Sequence, residues 1–289
     1  MESLELEKQL AGFGPVFVND PSIQFCLQAA KRNLGDFDGA KQWYTRFASK
    51  QPDGPWRSAA AAELWILNRQ GPPPKPVATC RLTSTRPYLD GKLDDDCWQG
   101  TTPLTLKNAA GDTLKDYPTE VKMAYDKEFL YLSLRCFHPA ARHVDPTPGR
   151  KHDEDLRAFD RVSLMIDVDR DYSTCFHFQV DQRGHVAEDC WGDKSWNPSW
   201  FVAINSESTV WTIEAAIPLV ALTGDIVTSG RTWAFNVVRT IPGQGVQGFS
   251  LPADVPEVSL RTEGMGLLMF AKDAKSSPTT AEKVTKQGP

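Results

Sequence analysis

No run of about 18 apolar residues occurs in this chain, so nothing in it reads as a membrane span. Nor is there a block of one positive sign. The 32 Lys and Arg are outnumbered by 37 Asp and Glu, and the net charge of −5 offers phosphates no basic stripe. That balance argues against a nucleic-acid partner. The opening residues, MESLELEKQLAGFGP, lack the basic region and apolar core of a signal peptide. No GxSxG, Walker or HExxH pattern is present. The six cysteines (Cys26, Cys80, Cys97, Cys136, Cys175 and Cys190) follow no CxxC or zinc spacing. All but Cys175 and Cys190 read as buried free thiols.

What is present is ordinary globular material, 40% hydrophobic and 24% charged, in 289 residues that suffice for one large or two ordinary domains. Residues 1–70 are expected to form a short helical cap. Pro21 follows Asp20 at an N1-like position, and Ile23, Leu27, Ala30 and Leu34 recur at helical spacing until Gly35. A second helix is expected over Gly39–Lys50 and a third over Arg57–Arg69. The run Gly35-Asp36-Phe37-Asp38-Gly39-Ala40, with Tyr44, Phe47 and Pro52, resembles the second half of a tetratricopeptide repeat. A lone repeat cannot bury its own face, so these helices are expected to pack on the next domain or to be the end of a longer array, with a protein partner through them as a further expectation.

Residues 71–78, which open with Gly71-Pro72-Pro73-Pro74-Lys75-Pro76, read as a stiff proline-rich linker. Beyond it, over 79–272, helical periodicity gives way to about ten short alternating runs between turn signals. The fold class expected is mainly β, an antiparallel two-sheet sandwich carrying a small helical segment. Residues 273–289 are polar and read as a disordered tail.

The stretch from Arg161 to Trp200 holds the chemistry. Val162, Leu164 and Ile166 alternate with Ser163 and Met165, and Phe176, Phe178 and Val180 repeat the pattern. Asp181-Gln182-Arg183-Gly184 reads as a four-residue turn. Pairing Val180 with His185 then sets Gln179 against Val186, His177 against Glu188 and Cys175 against Cys190, all on the face away from the apolar residues. Those two cysteines would be near enough for a disulfide, at the short end of its geometry. A polar platform of His177, Gln179 and Glu188 beside Trp191, Trp196 and Trp200 suits a sugar, with planar groups for hydroxyls and flat rings for stacking. The other reading is a solvated sheet face beside core tryptophans.

Five ordered motifs carry a second resemblance. Arg86-Pro87-Tyr88-Leu89-Asp90-Gly91-Lys92-Leu93-Asp94-Asp95-Asp96-Cys97-Trp98 matches an x-IDG-x-LDE-xx-W opening, and Thr119–Asp126 with Leu130-Tyr131-Leu132 matches T-x-V-x-x-x-x-D-x-x-x-LY. Asp160–Asp167 matches D-S-V-E-x-x-ID, Trp211–Pro218 matches W-x-x-E-x-x-IP, and Trp233–Arg239 matches W-x-FN-x-x-R, before a closing Gly264–Phe270. Together they resemble the family 9 carbohydrate-binding modules over about residues 80–271. The resemblance implies a jelly-roll-type sandwich that binds oligo- or polysaccharide without catalysis. It further implies service to a polysaccharide-degrading or cell-surface system, an extracytoplasmic setting, and often a structural calcium. The family's two clamp aromatics fall within Arg157-Ala158-Phe159, where Phe159 stands, and within Val258-Ser259-Leu260-Arg261, where no aromatic stands. Its Glu is Ser163 here, and its strand Arg aligns with Gln179. The expected ligand face is Phe159, His177, Gln179, Glu188, Trp191, Trp196, Trp200, Asn236 and Arg239.

Asp167, Asp169 and Asp171 form D-x-D-x-D, the oxygen alternation calcium prefers, against the reading of a solvated acidic turn. His138, His143, His152, Asp153, Glu154 and Asp155 crowd one long loop without matching a transition-metal spacing. Glu188 with Asp189, or Glu214 with Asp225, are the pairs a glycosidase would need. Met165 and His177, on adjacent strands and one face, would be the axial pair of a haem-binding electron-transfer sandwich. A protein-interaction module without small ligand is the remaining alternative.

Overall fold

The computed structural model describes residues 14–99, 101–149, 151–250 and 261–272, with positions 5, 8, 9 and 12. The expected tail and the clamp positions Val258 to Leu260 lie outside the described residues.

Among the described residues twelve strands are present: β1 (Val77–Leu82), β2 (Leu104–Thr105), β3 (Thr119–Tyr125), β4 (Phe129–Phe137), β5 (Arg161–Asp167), β6 (Phe176–Asp181), β7 (Val186–Cys190), β8 (Phe201–Glu207), β9 (Val210–Pro218), β10 (Thr232–Ile241), β11 (Gly245–Gly248) and β12 (Gly266–Ala271). Their pairing order is β7-β6-β5-β10-β12-β1-β3-β4-β9-β8, with β11 on β10 and β2 on β3. β1 runs parallel to both β12 and β3 and so hinges two antiparallel sheets. The alternation read from the sequence decides which faces meet. Val162, Leu164 and Ile166 of β5, Phe178 and Val180 of β6 and Trp233, Phe235 and Val237 of β10 share one core with Leu130, Leu132 and Leu134 of β4 and Trp211, Ile213 and Ile217 of β9. The architecture is the expected sandwich.

After a single helical turn at Pro15–Val18, the longer helices are α1 (Pro21–Asn33), α2 (Phe37–Lys50) and α3 (Pro55–Asn68). The Asp20 side chain caps α1 by accepting the Ser22 N–H at 2.9 Å, and Asp36 caps α2 through Gly39. None of the described helices is long and apolar enough to cross a membrane. Their apolar side lies on the outer face of the β5–β10–β12 sheet. Phe25, Ala40, Tyr44, Ala59 and Ala60 pack there with Met165, Ala234, Tyr172 and Met265. Glu63, buried to 3%, receives Arg170 at 2.7 Å and Arg32 at 3.3 Å across the same seam. The proline-rich segment is anchored as well: Lys75 is buried and donates to the Glu263 and Met265 carbonyls at 2.5 and 2.8 Å.

Candidate functional site

The helices cover only one end of that outer face. At the other end, the outward residues of four neighbouring strands floor a groove of about 720 Å³: Ala187 and Asp189 of β7, His177 and Gln179 of β6, Arg161 and Ser163 of β5, and Thr240 of β10. The loop 153–157 and Lys194 wall it. Its floor is cross-linked. Gln179 Nε2 donates to Ser163 Oγ at 3.0 Å, and these are directly opposed residues of β6 and β5. His177 Nδ1 lies 3.0 Å from Asp189 Oδ2, and this imidazole holds the Asp189 carboxyl below the usual carboxylate range. His177 Nε2 has no hydrogen-bond partner. Donors and acceptors set in fixed planes on a rigid sheet are what a hydroxyl-rich ligand needs.

The β6–β7 register differs by one residue from the expected one. Asp181 itself pairs with His185, donating its N–H to the His185 carbonyl at 3.0 Å, so the connection is the three residues Gln182-Arg183-Gly184. Gly184 takes φ +87°, and the Asp181 carboxylate accepts the Arg183 and His185 N–H groups at 2.9 and 3.2 Å. His177 therefore faces Asp189, while Glu188 faces Phe178 and points inward.

This corrects several expectations. Glu188 is 3% exposed, and its Oε2 accepts the Trp200 Nε1–H at 3.0 Å within the core, while Oε1 lies 3.2 Å from His152. Trp200 packs against Phe178 with ring centroids 5.0 Å apart. Trp196 lies against Phe176 and Phe178. Trp200 belongs to the core, and Trp196 is half-buried against it. Arg239 points inward and is fully buried, because Asp160 takes its guanidinium at 2.6 and 2.9 Å and the Phe137 carbonyl and Thr119 hydroxyl fill the rest. Asn236 is buried and clamps the Ser250 backbone. Phe159 stands outside the groove with the Arg183 guanidinium 3.5 Å above its ring. Cys190 is opposite Phe176 rather than Cys175, and all six cysteines are free thiols. Trp191 is exposed.

The carboxylate pairs separate. Glu188 and Asp189 are adjacent strand residues and so occupy opposite faces. Glu214 is fully buried and accepts from Trp98 Nε1, Gly91 N and Asp90 N, while Asp225 pairs with Arg231 at the surface. Met165 stands directly opposite His177 across β5 and β6, as expected, with its side chain packed under the helices. Among the described residues, Asp167, Asp169 and Asp171 are the group that comes together as a metal site would require, with their ligand atoms within 4.8 Å. Burial first, then Asp171 and Asp169, pushes the Asp167 carboxyl well above its ordinary range. Three crowded carboxylates in a largely buried loop fit a hard cation.

Of the groove's lining, the sequence pattern placed His177, Gln179 and Glu188 as ligand contacts, and Glu188 borders the groove with its carboxylate turned into the core. Asp189, Arg161, Thr240 and Lys194 were hidden, Asp189 by the register and the others by a fold that sequence spacing does not reveal.

The family described as "Carbohydrate family 9 binding domain-like" matches residues 89–244, more than half of the chain. Among solved structures, a family 9 carbohydrate-binding module from Caldicellulosiruptor kristjanssonii in complex with cellotriose is similar at a TM-score of 0.50 and 13% identity, covering 73% of this chain and 100% of that one. A candidate carbohydrate-binding protein from Bacteroides uniformis is similar at 0.50 and 13%, covering 68% and 99%. No curated protein matches the chain.

Proposed function

The chain belongs to the carbohydrate family 9 binding domain-like family, and on that premise we propose that its outer-face groove binds an oligo- or polysaccharide without catalysis. The observation that carries this reading is the Ser163–Gln179 contact in the groove floor. By the motif match, these two occupy the positions at which the resembled family places Glu and Arg, and here they are a hydrogen-bonded pair in the groove floor, Gln179 half-buried and Ser163 buried beneath it. The neutral pair replaces carboxylate and guanidinium with a hydroxyl and a planar amide, groups that can also address sugar hydroxyls. A non-catalytic role is supported by the separation of Glu188 from Asp189 and of Glu214 from Asp225.

We further propose a structural calcium at Asp167, Asp169 and Asp171, supported by the oxygen cluster. An accessory role in polysaccharide breakdown and an extracytoplasmic setting are proposals that rest on family membership. A protein partner for the tetratricopeptide-like helices would have to use the surface they do not spend on Met165 and Tyr172.

A glycan array probed with the whole chain, with and without calcium, tests the reading. Binding confined to one sugar class is the expected result. No binding in either condition would overturn it in favour of a protein partner.

A further inference from the structure

Beyond the end of β7 the chain reverses within two residues. Cys190 and Asp193 exchange backbone hydrogen bonds at 3.1 and 2.9 Å, leaving Trp191 and Gly192 at the tip. Both tip residues have positive φ, 54° and 82°. That combination belongs to a type I′ turn, whose first central position favours Asn, Asp or Gly. A large side chain at positive φ costs folding energy, and packing does not recover it here, since Trp191 is 73% exposed. A residue that breaks the local rule without a packing gain points to a function.

The turn is also held rigidly against the groove. Trp191 donates its backbone N–H to the Cys175 carbonyl at 2.8 Å. The Asp189 carboxylate accepts the Gly192 N–H at 2.7 Å through Oδ1 and binds the His177 imidazole through Oδ2. One carboxylate thus links the groove floor to the turn. Asp189 and Lys194, on either side of the turn in sequence, both line the groove.

Resting on the carbohydrate reading of that groove, we propose that Trp191 is a stacking platform for a second sugar ring, so that the ligand is an oligosaccharide running out of the groove past Asp189 and across the indole. Exposed, fixed indoles offer the flat apolar face that the C–H side of a pyranose covers. Among the described residues no Phe, Tyr or Trp lines the groove to offer such a face. The turn supplies it one ring further along. Trp191 therefore selects for chain length, while the floor selects for the sugar.

The test compares three forms of the whole chain, wild type, Trp191→Asn and Trp191→Tyr, on monosaccharides and their trisaccharides: glucose with cellotriose, xylose with xylotriose, mannose with mannotriose. Wild type is expected to prefer a trisaccharide over its monosaccharide. Trp191→Asn, a residue the turn prefers, is expected to melt no lower than wild type yet to lose roughly five- to tenfold in trisaccharide affinity, with monosaccharide affinity unchanged. Trp191→Tyr restores most of the preference. Equal trisaccharide affinity in wild type and Trp191→Asn, or no preference for trisaccharide in wild type, would overturn the platform and leave the groove standing. Failure of wild type to bind any of the six would overturn the platform, and a blank glycan array would overturn the carbohydrate reading as well.

Discussion

Glu188 stands opposite Phe178 and takes the indole N–H of Trp200 at 3.0 Å inside the sandwich. A carboxylate with this placement supports the fold rather than the ligand. Glu188→Ala strands the Trp200 donor and the His152 ring, and is expected to cost about 1–3 kcal/mol of stability. Trp200→Ala removes a core ring and is expected to cost about 3–5 kcal/mol. Denaturant titration measures both. Glycan affinity of the folded fraction is expected to stay within a factor of about two of wild type, on the order of the small effects expected away from a site.

Arg239 and Asp160 form an enclosed ion pair between β10 and the strand entry before β5. Arg239→Ala leaves Asp160 charged and dry, and the expected loss is about 3–5 kcal/mol. Arg239→Lys recovers only part, because an ammonium cannot span Asp160, Thr119 and the Phe137 carbonyl together. Full stability in Arg239→Ala would contradict its structural role.

These two residues show where sequence reasoning stopped. Strand positions and inward faces were legible because Val162, Leu164 and Ile166 alternate so regularly. The face of Glu188 was not, because it turned on whether Asp181 closes the β6–β7 connection or belongs to it, and one residue reverses every side chain of β7. The inward face of Arg239 is not legible in the sequence, because its charge suits a ligand contact and only the partner Asp160 shows that it is buried. The cover over this face does leave a signal in the sequence. Met165 and Ala234 are apolar on the outward face, and an apolar outward stripe means that something covers it, here α1 to α3. That cover confines the groove to the Arg161–Ser163 end.

The proposed calcium site would couple cation binding to pH at Asp167. Its carboxyl is raised by burial and by Asp171 and Asp169, so the folded state holds its proton above the pH at which the unfolded chain releases it. Stability from this group is therefore present in acid and is lost as pH rises through the raised value. A cation that binds the ionised cluster offsets that loss. Added calcium is expected to raise the melting temperature at about pH 7 and to do so less near pH 4. An equal shift at both values, or none, would contradict the site.

Lys75 shifts in the other direction. Burial pushes its ammonium down to about 7, opposed by Glu63, Glu263 and Asp167. Between there and the ordinary lysine value of 10.5 the unfolded chain binds the extra proton, so stability from this group rises with pH, by up to about 1.4 kcal/mol per unit. Lys75→Met is expected to flatten that rise in thermal melts between about pH 7 and 10. An unchanged slope would show that Lys75 titrates as in water.

Where the sugar binds is the central claim. The most direct measurement is calorimetric titration of the best-bound array glycan into wild type, Gln179→Ala and Glu188→Gln. Gln179 has its amide in the groove and its partner in Ser163, so Gln179→Ala is expected to keep its melting temperature and lose at least about tenfold in affinity. Glu188→Gln is expected to bind as wild type. The reverse, full affinity in Gln179→Ala with loss in Glu188→Gln, would place the ligand elsewhere and contradict the groove.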